Sequence, residues 1–218
     1  MSCNRRGFTL LEMTIAMTIT AVTGLSVAGV TMALGEANDH GQDFYQSVQT
    51  GRSAVMKIQA IVRGAKLVTA STGTSLVLWL EDANGDGQVN LSETVLLTFD
   101  AESGEIRFYR VAFPETMDQA IRQALDVTKP LVDIMNISGV TDTITGNAYN
   151  DLTVLATDVT AFRVTVWPAV PLTRLVRFQL TVGTGSSAVT LRSAASTRAG
   201  ATGYVQVVEN EYVLTSPD

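Results

Sequence analysis

Residues 5–17 read RRGFTLLEMTIAM. Two arginines end at Gly7, and from Phe8 to Leu34 the only charge is Glu12. As a helix these residues rise roughly 40 Å at about 1.5 Å each, against a bilayer hydrocarbon core of about 30 Å. The segment spans a membrane, with tilt or with its far end emerging. Its many threonines are tolerable in lipid, because a helical Thr hydroxyl bonds a carbonyl one turn back. A secretory signal has an apolar run of about 7–15 residues followed by a small-residue cleavage site. Here the run is about twice that, and the plausible cut site, Gly7, precedes it. Arg5 and Arg6 hold the N-terminus in the cytoplasm by the positive-inside rule, so everything after Leu34 faces the other side.

The same residues, Gly7, Phe8, Thr9, Leu10, Leu11 and Glu12, resemble the N-terminus of type IV prepilins and type II secretion pseudopilins. That family shows a short basic leader, Gly at the cut, Phe next, and Glu fifth after the cut inside an apolar helix. The resemblance implies that a prepilin peptidase cuts after Gly7 and methylates the new amine of Phe8. A carboxylate within the bilayer costs roughly 2.5–3.5 kcal/mol at the helix centre, so Glu12 needs a partner. It lies about 6 Å deeper than Phe8. The Phe8 amine of a neighbouring subunit neutralises it when helices stack with an axial offset. The plainer reading is an interfacial acid that favours the helix N-terminus.

Downstream, Phe44, Val48, Gly51, Val55, Ile58, Val62 and Ala65 recur in steps of three and four, a helical apolar stripe. This predicts the second half of one long helix, loosened near Gly35 and Gly41, with its stripe on a head domain. His40 reads as a solvated residue near the membrane surface. The stalk–head boundary is expected within Thr69–Thr74.

From Ser75 the pattern turns to strands: SLVLWLE, ETVLLTF, EIRFYRVAF, then DLTVLATDV, TAFRVTVW, TRLVRFQLTV and SAVTLRSAAS. A short helix is expected at PETMDQAIRQALD, with Pro114 near its start. Period-2 alternation in Phe162–Val164–Val166 and Leu175–Arg177–Gln179 predicts half-buried antiparallel strands. Trp79, Trp167 and the phenylalanines read as core. Gly183–Ala188 looks like a dinucleotide loop, but the strand-like AVTLRS after it offers no helix N-terminus to a phosphate, so it reads as a turn.

Between the first two strands lies DANGDGQVNLSE, which matches the calcium-loop pattern D-x-[DN]-x-[DN]-G-x5-E. Asp82, Asn84 and Asp86 supply side-chain oxygens, Gly87 the sharp turn, Gln88 its carbonyl. Asn90 acts directly or through water, and Glu93 chelates with both oxygens. The flanks are strand-like, so the expected role of Ca²⁺ is structural, not a groove-opening switch. The alternative is a metal-free hairpin turn.

Bulk composition narrows function. At net charge −6 there is no basic field to neutralise phosphates, so nucleic acid is an unfavoured partner. The single cysteine, Cys3, lies in the leader, and the single histidine is His40. That leaves no disulfide, no cysteine metal site and no Ser/His/Asp or Cys/His set. Charged residues are only 17% and mean hydropathy is +0.21, raised by the membrane segment.

The expected architecture is α+β and pilin-like: a long N-terminal helix, half transmembrane and half amphipathic, packed on an antiparallel β-sheet head. The divisions are a leader at 1–7, a transmembrane helix at 8–35, a stalk at 36–70 and a periplasmic head at 71–218. By resemblance the chain is a non-enzymatic structural subunit, a minor pseudopilin of a type II secretion system. Its partners would be other pseudopilins, the prepilin peptidase, the inner-membrane assembly platform and membrane lipid. The length, the Arg-bearing strands TAFRVTVW and TRLVRFQLTV and the terminal turn region together loosely resemble the J-type minor pseudopilin. The alternatives are a minor type IV pilin and a membrane-tethered, calcium-stabilised binding module.

Overall fold

Helix α1 runs Leu10–Gly64 in the computed structural model, which describes residues 9–198, 203–208 and 211–215. The chain divides into two units, Met1–Asp43 and Phe44–Asp218. In the first, the large apolar side chains from Leu10 to Leu34 are exposed, as a lipid-facing surface requires. Here α1 is long and apolar enough to cross a membrane. Its hydroxyls are satisfied within the helix: Thr14 donates to the Leu11 carbonyl at 2.9 Å, Thr20 to Ala16 at 2.8 Å and Thr31 to Val27 at 2.9 Å. The expected loosening at Gly35 and Gly41 does not occur; helix is continuous through both. Each costs about 1 kcal/mol of helix propensity, too little to break a helix of 55 residues.

The second unit begins with the last turns of α1. The buried line is Ser47, Gly51, Ala54, Ile58 and Val62, continued by Ala65. The predicted stripe was therefore rotated. Phe44 is 45% exposed, while Val48 and Val55 are half-buried. Small residues take the inward positions because the helix lies close to the strands. A Cβ on Gly51 would meet Leu191 Cδ1 at 2.5 Å.

The stalk ends earlier than 70. Helix stops at Gly64, and the Lys66 amide already donates to the Trp79 carbonyl at 2.8 Å. Strand β1 is Leu67–Ser71, followed by β2 Ser75–Trp79, the two-residue β3 Val89–Asn90, β4 Thr94–Asp100 and β5 Glu105–Val111. Then come helix α2 Gln119–Leu125, β6 Thr128–Lys129, α3 Leu131–Met135 and α4 Ile137–Thr145. Strands β7 Asn150–Ala156, β8 Val159–Trp167, β9 Leu175–Val182, β10 Val189–Ser196, β11 Val205–Val208 and β12 Glu211–Leu214 complete the head.

A five-stranded antiparallel sheet has the order β1-β2-β4-β5-β7, and a three-stranded one the order β10-β9-β8. The large sheet is buried on both faces. Val68, Leu76, Leu78, Val95, Leu97 and Ile106 pack with α1 and with Phe162, Val164, Val176 and Phe178 of the small sheet. Leu67, Val77, Trp79, Leu96 and Val111 pack with Leu131, Ile134, Val140 and Ile144 of α3 and α4. Central strands covered on both sides read as unbroken apolar runs, which is why SLVLWL shows no alternation.

Helix α2 starts at Gln119, not near Pro114. Asp118 caps it, its carboxylate accepting the Ala120 amide at 2.8 Å, an N-terminal use of Asp that outcompetes proline's preference. The segment Gly183–Ala188 is the β9–β10 turn, as expected. Trp79 is core, but Trp167 is 67% exposed at the end of β8, on the outward parity of that strand.

Candidate functional site

Two sites were expected: the start of α1 and the acidic loop. At the first, Glu12 sits in the opening turn of α1 and closes a reciprocal pair with Thr9. Glu12 Oε2 accepts the Thr9 amide at 3.0 Å and the Thr9 hydroxyl at 3.1 Å, and the Glu12 amide donates to Thr9 Oγ1 at 3.3 Å. This is a capping box, which satisfies orphan donors at a helix start. The signal was present in Thr9-Leu-Leu-Glu12 as a Thr-x-x-Glu spacing before an apolar run. Only one carboxylate oxygen is engaged; Oε1 has no hydrogen-bond partner among the described residues. The side chain is exposed on the helix surface. Residues 1–8, and with them the expected processing residues Gly7 and Phe8, lie outside the described residues.

At the second site, Asp82, Asn84 and Asp86 come together around Gly85 and Gly87, whose φ values of 73° and 71° favour glycine. Asp82 Oδ1 accepts the Asp86 amide at 3.1 Å and Oδ2 the Gly87 amide at 3.0 Å. Asn84 Oδ1 also accepts the Asp86 amide, at 3.0 Å, and Asn84 Nδ2 donates to Asp86 Oδ2 at 2.8 Å. Asp86 Oδ1 accepts the Gln88 amide at 2.8 Å. The loop is thus folded by its own side chains into a turn rimmed with oxygens, the donor chemistry of a hard cation.

Glu93 lines one cavity with Asn84, Asp86 and Asn90, but its carboxylate is engaged by the head. It is 3% exposed and turned into the head. Its Oε2 accepts the Trp79 indole at 3.1 Å and the Asn90 amide at 3.3 Å, while Oε1 accepts the Ala83 amide at 2.7 Å. Asn90 is buried too, and its Oδ1 accepts the Thr128 hydroxyl at 2.9 Å, across the β3–β6 pair. Among the described residues no three His, Cys, Asp or Glu side chains converge on one point. The expected ligand set is therefore split: Asp82, Asn84, Asp86 and the start of Gln88 on the rim, Asn90 and Glu93 in the wall.

The wall contacts were not foreseen. Glu93 holds Trp79, whose ring meets Tyr204 edge-on at 5.8 Å, with Lys66 Nζ 5.0 Å from the Trp79 centroid. Asp126 fixes the following turn, accepting the Ser92 amide at 2.8 Å and hydroxyl at 2.6 Å. Spacing in the sequence cannot reveal partners 34 residues apart.

Residues 2–28 match the family model described as the prokaryotic N-terminal methylation motif. That match covers Gly7, Phe8, Glu12 and most of the apolar segment. No curated protein and no solved structure matches the chain.

Proposed function

We propose that this chain, whose residues 2–28 match the prokaryotic N-terminal methylation motif, is a structural subunit of a pilin-like fibre of the type IV prepilin and pseudopilin kind and catalyses no reaction. The reading extends to a minor pseudopilin of a type II secretion system. The observation that carries it is the pairing of a prepilin-type methylation motif with one uninterrupted helix, lipid-compatible for its first half and core-forming for its last turns. Cleavage after Gly7 by a prepilin peptidase frees the Phe8 amine. The helix holds the subunit in the inner membrane with its head on the periplasmic side. Extraction into the fibre proceeds by helix–helix packing and by pairing of Glu12 Oε1 with a neighbour's Phe8 amine. The capping box supports this assignment, since it fixes the carboxylate through one oxygen and leaves the other for that amine.

The narrower reading, a J-type minor pseudopilin, rests on the resemblance of the Arg-bearing segments of β8 and β9 read from sequence. A minor type IV pilin is distinguished from it by the partners recovered on pull-down from native membranes. Ca²⁺ belongs to the same proposal as a structural ion. Asp82, Asn84 and Asp86 with the Gln88 carbonyl would hold it at the rim. Glu93 would join through the free lone pair of Oε1, which accepts only the Ala83 amide.

Mass spectrometry of the mature protein tests the assembly reading. Methylated Phe8 as the first residue is expected. A chain beginning at Met1, or cut after the apolar run, contradicts it.

A further inference from the structure

The outward face of the small sheet carries charge that the rest of the head does not answer. Strands β8, β9 and β10 contain Arg163, Arg177 and Arg192 and no acidic residue. Their neighbours Phe162, Val164, Val176 and Phe178 are buried, so the arginines share the opposite, exposed face. Register places them together. Gln179 of β9 stands between Arg163 and Arg192, and Arg177 lies opposite Thr165 and Ala194, one pleat further along. Two strand spacings separate Arg163 from Arg192, about 10 Å. Among the described residues the ion pairs are Arg107 with Asp100 and Glu105, and Arg110 with Asp151; none involves these three.

Three unpaired guanidinium groups on one face of a chain with net charge −6 invite a carboxylate-bearing partner. The chain itself carries the matching array. Beyond its apolar segment α1 presents Glu36, Asp39 and Asp43, with no Lys or Arg anywhere from Thr9 to Gly51. At about 100° and 1.5 Å per residue the three acids fall within an arc of about 60° and span about 10 Å of the helix. The two arrays agree in number and length and are opposite in sign. A row of carboxylates offers each of the three guanidinium groups its own acceptor.

We propose that the Arg163/Arg177/Arg192 face docks the Glu36/Asp39/Asp43 stripe of a second copy of this chain. The inference rests on the assembly reading above and adds to it a lateral contact, outside the membrane, that fixes how neighbouring subunits are rotated. Each exposed pair contributes little alone, about 0–1 kcal/mol, so the contact selects register more than it supplies affinity.

The test uses the full-length chain in bacterial inner membranes with prepilin peptidase, Cys3 changed to Ser, and two differently tagged copies. One carries Asp39→Cys and the other Arg177→Cys. Oxidation is expected to link the two tags. The yield is expected to drop several-fold when the second copy also carries Arg163→Glu and Arg192→Glu, and to recover when the first also carries Glu36→Arg and Asp43→Arg. Recovery by reversed charge is a response that misfolding does not produce. Copies that co-purify in detergent without cross-linking, or cross-link regardless of charge, overturn this contact and leave the assembly reading standing. Copies that do not co-purify overturn this contact as well; the assembly reading, whose partners are other pseudopilins, stands or falls on methylated Phe8 as the first residue.

Discussion

Gly183 has φ +85°, and a Cβ there would stand 2.5 Å from Ser47 Oγ and 3.0 Å from the Ser187 carbonyl. The turn signal around it was legible in the sequence; its contact with the helix was not, because residues 136 apart meet only in the fold. Gly51 is the mirror case, a helical glycine whose added Cβ would meet only the flexible tip of Leu191 and, at 3.4 Å, Val182. Gly183→Ala should cost about 1–3 kcal/mol, from a backbone conformation that side chains rarely adopt plus a clash with backbone. Gly51→Ala should cost less, since Leu191 turns aside. Thermal melts of the detergent-solubilised chain should therefore rank wild type, Gly51→Ala, Gly183→Ala in falling Tm. Equal values would mean that the helix and the β9–β10 turn are not in close contact.

Among the elements, the acidic loop was half legible. The side chains from Asp82 to Asp86 form the tight turn that the pattern demands, because that turn is local. Glu93 escapes the pattern, because a buried indole N–H and two amides need an acceptor, and satisfying buried donors outweighs leaving a carboxylate facing solvent. Two consequences separate these roles. Calcium at millimolar concentration is expected to raise the Tm, and Asp82→Ala with Asp86→Ala to remove that shift; an unchanged Tm in the wild type would refute the metal. Glu93→Ala is expected to destabilise the head by about 1–3 kcal/mol for each stranded donor, in calcium or chelator alike, read as a lower urea midpoint. Helices α3 and α4 were not legible at all: Thr, Asn and Gly in NISGVTDTITGN masked the spacing of Val140 and Ile144, both buried against the large sheet. Ile144→Ala should cost about 2–5 kcal/mol, measured by the same urea titration; a surface-like change below 0.5 kcal/mol would place α4 outside the core.

At the scale of the whole chain, the α+β division was legible because it rests on a change of hydrophobic period, from helical to strand spacing. The separation into two sheets was not, since strand order and the layer between sheets depend on long-range pairing. The N-terminal methylation motif was legible in the first residues, because its Gly7, Phe8 and Glu12 lie close together in sequence. The capping box and the proposed intersubunit charge pair both use Glu12, and they can be separated. Gln accepts the same cap hydrogen bonds but carries no charge for a neighbour's amine. Glu12→Gln should leave membrane insertion and cleavage after Gly7 intact while sharply reducing recovery of the subunit in sheared fibres. Recovery equal to wild type would contradict charge pairing as the basis of assembly.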